Sequence, residues 1–164
     1  MIIGIFGASC VGKSSAARLL AQRSTLPLRS CGSPVRQAAE SLSVSLEELP
    51  DAVHRGIDEQ TIDWSLRNRP CLVEGRFLDR VLARLSAKPF LIELRATPAV
   101  RQSRACSRAG HVVSCEELKR WDQADAVFRE RMYSEPALKP DLSVDTSTCT
   151  VQECVDRLIL EIAR

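Results

Sequence analysis

Short apolar runs recur at Ile2 to Phe6, Cys71 to Val73, Phe90 to Leu94 and Leu142 to Val144. Between them lie longer stretches in which apolar residues return every three or four positions, the period of an amphipathic helix. This alternation predicts an α/β fold, a parallel sheet with helices on its faces. Leu26 to Arg29 reads as a fifth strand, and Pro27 and Arg29 place it at an edge, because proline cannot donate to a central ladder.

Helix starts are marked by their caps. Ser45 with Glu48, Ser114 with Glu117 and Thr150 with Glu153 form S/T-x-x-E boxes, and Thr97-Pro98 offers an N-cap followed by proline at the first helical position. The last helix carries Val151, Val155, Leu158, Ile159 and Ile162 on one stripe, and the helix after Gly75 carries Phe77, Val81, Leu82 and Leu85; both stripes are expected on the sheet. Two helical regions, roughly Pro34 to Asn68 and Arg101 to Met132, interrupt the strand series as insertions. In the second, Trp121, Phe128 and Met132 mark an apolar stripe on a highly charged helix.

A chain of 164 residues, 45% of them hydrophobic, suits a single domain with one ordinary core. Its 23 basic and 21 acidic side chains give a net charge of +2, so no global field argues for a nucleic-acid or membrane partner and any functional charge must be local. With no long apolar span and no leader ahead of the first strand, the expected location is the cytoplasm. The oligomeric state is not set by the sequence, and a monomer suffices. Seven cysteines without a C-x-x-C pair indicate neither a zinc site nor a disulfide framework; most are expected to be small buried hydrophobes.

The chemistry begins at Gly7-Ala8-Ser9-Cys10-Val11-Gly12-Lys13-Ser14, a complete G-x-x-x-x-G-K-[ST] phosphate loop between the first strand and a helix running from Ser14 to Gln22. Backbone N–H groups from Gly7 through Ser15 can close on an anion and the helix N-terminus adds its dipole. Lys13 can reach the β and γ phosphates and Ser14 can ligate magnesium, which makes ATP and Mg2+ the expected cofactors.

Ligands of doubly wound sheets collect at the carboxyl ends of strands. Glu74, ending the strand beside the loop, can hold a magnesium-bound water or orient an acceptor, or it can simply pair with Arg76. Arg101, Arg104 and Arg108 fall on one helical face, with Arg120, Arg129 and Arg131 following, a cluster suited to a lid over transferring phosphates. Asp58, on a helix with His54 and Asp63, can contact a nucleobase or an acceptor hydroxyl, or belong to a wet helix face. His54 has no metal-ligand companion nearby.

Four segments, MIIGIFGASCVGKSSAARLLAQ, RSCGSPVRQAAESLSVSLEEL, HRGIDEQTIDWSLRNRPCLVEGR and DLSVDTSTCTVQECVDRL, make the chain resemble the nucleoside monophosphate kinases, above all the short archaeal-type cytidylate kinases. The resemblance implies a three-layer P-loop NTPase fold with strand order 2-3-1-4-5. It divides the chain into a core (1–33, 70–97, 139–164), an acceptor-binding insertion (about 34–69) and a lid (about 101–132). It also implies γ-phosphoryl transfer from ATP to a pyrimidine nucleoside monophosphate, CMP or dCMP. Lys13 and Ser14 would serve the donor phosphates and magnesium, Arg36 and Arg76 the acceptor phosphate, and Arg104, Arg108 and Arg120 the lid. Where that family places an acidic and a hydrophobic residue before the acceptor arginine, this chain has Ser33, Pro34 and Val35, which alters the wall beside the acceptor. Two other readings stand beside this one. A kinase of the same fold could act on a nucleoside or metabolite hydroxyl, with Glu74 or Asp58 as base, and a nucleotide-binding protein could lack transfer altogether.

Overall fold

The computed structural model describes residues 1–163. Five strands, β1 (Ile2–Phe6), β2 (Leu28–Ser30), β3 (Cys71–Glu74), β4 (Phe90–Arg95) and β5 (Leu142–Asp145), form one parallel sheet in the order β2-β3-β1-β4-β5. The expected five strands and their order are thus observed, with β2 at the edge. Among the described residues seven α-helices complete the fold, α1 (Lys13–Ser24), α2 (Gly32–Leu42), α3 (Asp51–Arg67), α4 (Leu78–Val81), α5 (Pro98–Ala109), α6 (Cys115–Met132) and α7 (Val151–Ile162), with a 3-10 turn at Leu82–Arg84 after α4.

Alternation along β1 assigns its side chains to two apolar layers. Ile3 and Ile5 pack with Ala17 and Leu20 of α1 and with Val155 and Leu158 of α7, while Ile2 and Phe6 face Leu78, Val81, Leu82 and Met132. Each fully buried aliphatic side chain contributes roughly 1.5–3 kcal/mol of transfer free energy. Gly4 leaves room for two leucine side chains: a Cβ there would lie 2.7 Å from Leu91 of β4 and 2.9 Å from Leu82, just beyond α4.

The caps explain most helix boundaries. Ser114/Glu117 and Thr150/Glu153 form closed boxes, and Thr97 accepts from Val100 N ahead of Pro98. Ser45 and Glu48 also bond as expected, Ser45 N donating to Glu48 Oε2 at 3.0 Å, yet α3 begins only at Asp51. Pro50 is the reason: it has no N–H for a helix entering from Ser45, so one turn forms and the helix restarts beyond it. The stripe of α7 is covered except at Val151, which is 43% exposed and turns toward the functional cleft. Of the cysteines only Cys71 and Cys154 are buried, and Cys115 is exposed, so the expected burial of most of them does not hold. Among the described residues no helix is long and apolar enough to cross a membrane.

Parallel register brings the chemistry together. Ile5 lies opposite Glu74, Ser30 opposite Glu74 on the other side, and Phe6 opposite Glu93. The phosphate loop therefore leaves β1 between two strand-end carboxylates.

Candidate active site

The loop from Gly7 to Ser14 turns on two glycines with positive φ, +138° at Gly7 and +92° at Gly12. At Gly7 a Cβ would meet Leu94 O at 2.2 Å, so only glycine fits both the conformation and the space. Helix α1 then starts at Lys13 with no side-chain cap and no acidic residue in its first turn. Its first amides thus face the cleft without a protein acceptor, the arrangement that receives an anion. Lys13 Nζ donates to Ala8 O at 2.6 Å, closing the loop on itself. Burial, reinforced by Arg76, lowers the Lys13 pKa to about 8.

Glu74 does not pair with Arg76. The residue is 5% exposed, and its carboxylate accepts from Ser14 Oγ at 3.2 Å and from Ser30 Oγ. Arg76 instead donates to Asp125 on α6. Ser30 and Asp125 carried no motif, and only the register of β2 on β3 and the docking of α6 bring them in.

The three arginines of α5 have three fates. Arg101 is buried, donates from Nε to Ser9 O at 2.8 Å and forks onto Asp122 at 2.8 and 2.6 Å, so it clamps the loop to α6 rather than facing a ligand. Arg104 donates to Thr146 Oγ1 at 2.9 Å, to Thr146 O at 2.7 Å and to Cys10 O at 3.5 Å. Arg108 is exposed at the rim. Thr146, whose hydroxyl also donates to Val11 O at 2.9 Å, was missed in the sequence, although its place just after the apolar run of β5 marks a strand end.

A cleft of about 470 Å³ gathers these groups. Its charged lining is Lys13, Arg18, Arg36, Arg76, Arg104 and Arg108 against one carboxylate, Glu74. Among the described residues Arg18, Arg36 and Arg108 have no ion-pair partner. Cys149, Thr150 and Val151 close the end beside α7. Ser9, Cys10, Val11, Gly12, Ser14 and Ser15 also line it, whereas Gly7 and Ala8 border a second cavity of about 650 Å³ beyond Arg76.

Two expected site residues lie elsewhere. Asp58 is 9% exposed and accepts from Tyr133 Oη at 2.9 Å, so it meets neither cavity and is no wet helix face. Burial pushes its pKa up to about 6, against the opposing hydrogen bond from Tyr133. Arg120 is exposed and lines neither cavity. It stands two positions from Asp122, which turns it about 200° round α6 from that inward-facing acid. His54 packs edge-on against Phe128, ring centroids 4.7 Å apart, and burial lowers its pKa.

No protein-family profile matches the chain, and a search of curated proteins returned no match. Solved structures do match. A gluconokinase from Sinorhizobium meliloti 1021 superposes with a TM-score of 0.68 at 20% identity, over 99% of this chain and 91% of that one. Shikimate kinase from Aquifex aeolicus vf5 gives 0.63 at 17% identity over 99% and 96%. An unliganded sugar kinase from Janibacter sp. HTCC2649 gives 0.66 at 16% identity over 99% and 94%. The fold is that of the P-loop kinases. Within that fold the cleft occupies the carboxyl edge of the sheet, with the loop at its centre, α2 on one side and α5 and α7 on the other.

Proposed function

We propose that the protein transfers the γ-phosphoryl group of ATP to the phosphate of a nucleoside monophosphate, with CMP and dCMP as first candidates. The observation that carries this reading is the charge of the cleft, whose lining has six cationic side chains and one carboxylate, Glu74. Among the described residues Arg76 alone of the six is in an ion pair, to Asp125 outside the lining. Gathering that many like charges round one small cleft, most of them on its exposed rim, raises its positive potential and favours ligands that supply several negative charges, and a triphosphate donor beside a phosphorylated acceptor does so.

The donor set fits ATP and magnesium. The glycine-shaped loop, the uncapped amides of α1 and Lys13 would hold the donor phosphates. Ser14 would ligate magnesium, with Glu74 fixing the serine hydroxyl from behind. When bound, the metal neutralises charge on the phosphate oxygens. Arg36 and Arg76 would hold the acceptor phosphate from α2 and from the sheet, and Arg104 and Arg108 would stabilise charge on the transferring group. Transfer to a phosphate needs little beyond positioning and electrostatics.

The structural neighbours, named as gluconokinase, shikimate kinase and sugar kinase, favour a second reading, transfer to a hydroxyl of a small metabolite. A hydroxyl acceptor calls for a base within reach. Glu74 has both oxygens engaged by serines and Asp58 lies outside the cleft, which weighs toward the phosphorylated acceptor. A coupled assay with ATP and CMP, dCMP, UMP, AMP, GMP, gluconate and shikimate decides between them. Turnover of a monophosphate is expected; turnover of gluconate or shikimate alone overturns the first reading. In Arg36→Ala the acceptor KM should rise about 10–100-fold, the loss of one charge-assisted contact or two, with the KM for ATP nearly unchanged.

A further inference from the structure

Two thiols meet at the end of the cleft beside α7. Thr150 caps that helix through a closed box with Glu153, so Cys149 stands just ahead of the cap and Cys154 is the fourth residue of the helix. Side chains at these two positions pack on one another across a capping box. Cys154 is 3% exposed in the apolar layer of α1 and α7, and Cys149, half-buried, packs against the same layer. Burial, and after it the adjacent Cys149 thiol, push the Cys154 pKa up to about 11. Both cysteines line the cleft and both are free. Cys10, the third thiol of the lining, packs instead against a separate cluster around Ala105 and Leu118. The Cys149 sulfur donates to Asp145 O at 3.5 Å, next to Thr146. Thr146 supports the donor side of the cleft: its hydroxyl donates to Val11 O at 2.9 Å, and its hydroxyl and carbonyl oxygens accept from Arg104 at 2.9 and 2.7 Å.

We infer that Cys149 and Cys154 are a redox modification site, forming a reversible disulfide that weakens nucleotide binding at the phosphate loop. The inference rests on the donor half of the function proposed above and is independent of the acceptor. A hydroperoxide is the oxidant. The sulfur of Cys149, the more accessible of the pair, attacks a peroxide oxygen. The O–O bond breaks, the other oxygen leaves as water or an alcohol with the Cys149 proton, and the sulfur becomes a sulfenic acid. The Cys154 sulfur then attacks the sulfenic sulfur; the S–S bond forms, and hydroxide departs as water with the Cys154 proton. Two thiols have lost two electrons and the peroxide has gained them. Burial keeps Cys154 protonated, so the first step falls to Cys149, and the second is carried by proximity. With one sulfur at the cleft surface, the bridge is open to exchange with a small dithiol. Closing it turns the Cys149 sulfur from Asp145 O toward Cys154, and the segment from Asp145 to Thr150 follows. Thr146 moves with that segment, which loosens its bonds to Val11 O and Arg104 and removes support from the phosphate loop.

The test treats the full chain with hydrogen peroxide, alkylates the remaining free thiols and digests with trypsin without reduction. Cys149 and Cys154 fall in one tryptic peptide, residues 132–157, because Lys139 precedes proline. That peptide should escape alkylation, weigh two hydrogen atoms less than its reduced form, and take up two alkyl groups once a dithiol reductant is added. Calorimetry of a non-hydrolysable ATP analogue should give an affinity about tenfold lower after peroxide, the loss of about one hydrogen bond to a charged group, restored by the reductant. Cys149→Ser should abolish the bridge and the response together. Cys154→Ala keeps a small apolar side chain in the buried site and should leave Cys149 as a sulfenic acid, trapped by dimedone. Alkylation of both cysteines in the peroxide-treated parent, a bridge that leaves the affinity unchanged, or a response that survives in Cys149→Ser overturns the inference. The acceptor enters none of these readouts, so the two ideas fail separately. A protein that phosphorylates no monophosphate but binds the analogue under this control keeps the inference and loses the function proposed above, while CMP turnover with the peptide fully alkylated does the reverse.

Discussion

Ser14 and Glu74, sixty residues apart, are joined by a hydrogen bond of 3.2 Å from the serine hydroxyl to Glu74 Oε2. The other carboxylate oxygen takes Ser30, so the hydroxyl that would meet magnesium is aimed by a buried acid that is itself anchored in the edge strand. Glu74→Gln keeps the shape and removes the charge. The expected outcome is a loss of about 10–100-fold in kcat or in magnesium affinity, as for other residues that orient a metal ligand, with little change in Tm. Steady-state kinetics over a magnesium titration measures it, and parent-like kinetics would leave Glu74 a structural residue.

Lys13 makes ATP binding pH-dependent with a definite sign. Its pKa is about 8 in the free protein against an ordinary 10.5, and the phosphates require the charged form. Above pH 8 binding must therefore take up a proton, and affinity for ATP should fall by roughly tenfold per pH unit. The free protein responds oppositely. Between pH 8 and 10.5 the unfolded chain binds the extra proton, so the Lys13 contribution to stability rises with pH. Calorimetry of an ATP analogue in buffers of different ionisation enthalpy counts the proton, and a flat affinity from pH 7 to 9.5 would contradict the burial of Lys13.

Asp58 titrates in the opposite sense for an acid. Its folded-state pKa of about 6 lies above the ordinary 3.8, so its contribution to stability is fully present below about pH 4 and is lost as pH rises through 6. Asp58→Asn accepts the same Tyr133 hydrogen bond without the buried charge. The variant should exceed the parent in stability by about 1–3 kcal/mol at pH 7, the gap closing toward pH 4. Urea denaturation at several pH values reads it. The acceptor KM should not move, because Asp58 lies outside the cleft.

These examples show what a linear sequence can and cannot reveal. Strands β1 and β3 are nearly continuous apolar runs, β4 and β5 carry shorter apolar pieces at the expected places, and the loop is a contiguous motif, so the sheet and the glycine-shaped loop were both readable. Asp58, Arg76 and Arg101 were visible as charges, but their partners Tyr133, Asp125 and Asp122 lie 75, 49 and 21 residues away. Which carboxylate meets which guanidinium is set by how α6 docks over β1 and α3, and helical periodicity places a residue on a face without saying what that face meets. Pro50 misled the reading of one boundary: its missing N–H stops the helix at a turn, although the Ser45 N to Glu48 half of the capping box forms.

The sharpest test of the site lies along α5, where one helical stripe was expected to act as a lid. Arg101→Met removes a buried guanidinium that holds Ser9 O and Asp122. It should cost about 1–3 kcal/mol in stability, since Asp122 is partly solvated once freed, and should raise the KM for ATP by loosening the loop. Arg104→Met removes donors poised beside Cys10 O and Thr146, where charge would build up during transfer. Its expected effect is a fall in kcat of about 10²–10³-fold with a loss of about 1–2 kcal/mol in stability from the bonds to Thr146 and Cys10 and little change in the KM for ATP. Arg108→Met removes an exposed charge with no ion-pair partner among the described residues, and should give a smaller loss in kcat/KM that shrinks as salt is raised, because only exposed charges are strongly screened. Kinetics at low and high salt with Tm for each variant separates the three. Uniform behaviour would mean that the helix presents one undifferentiated basic surface, and the separate roles assigned to Arg101 and Arg104 would fall with it.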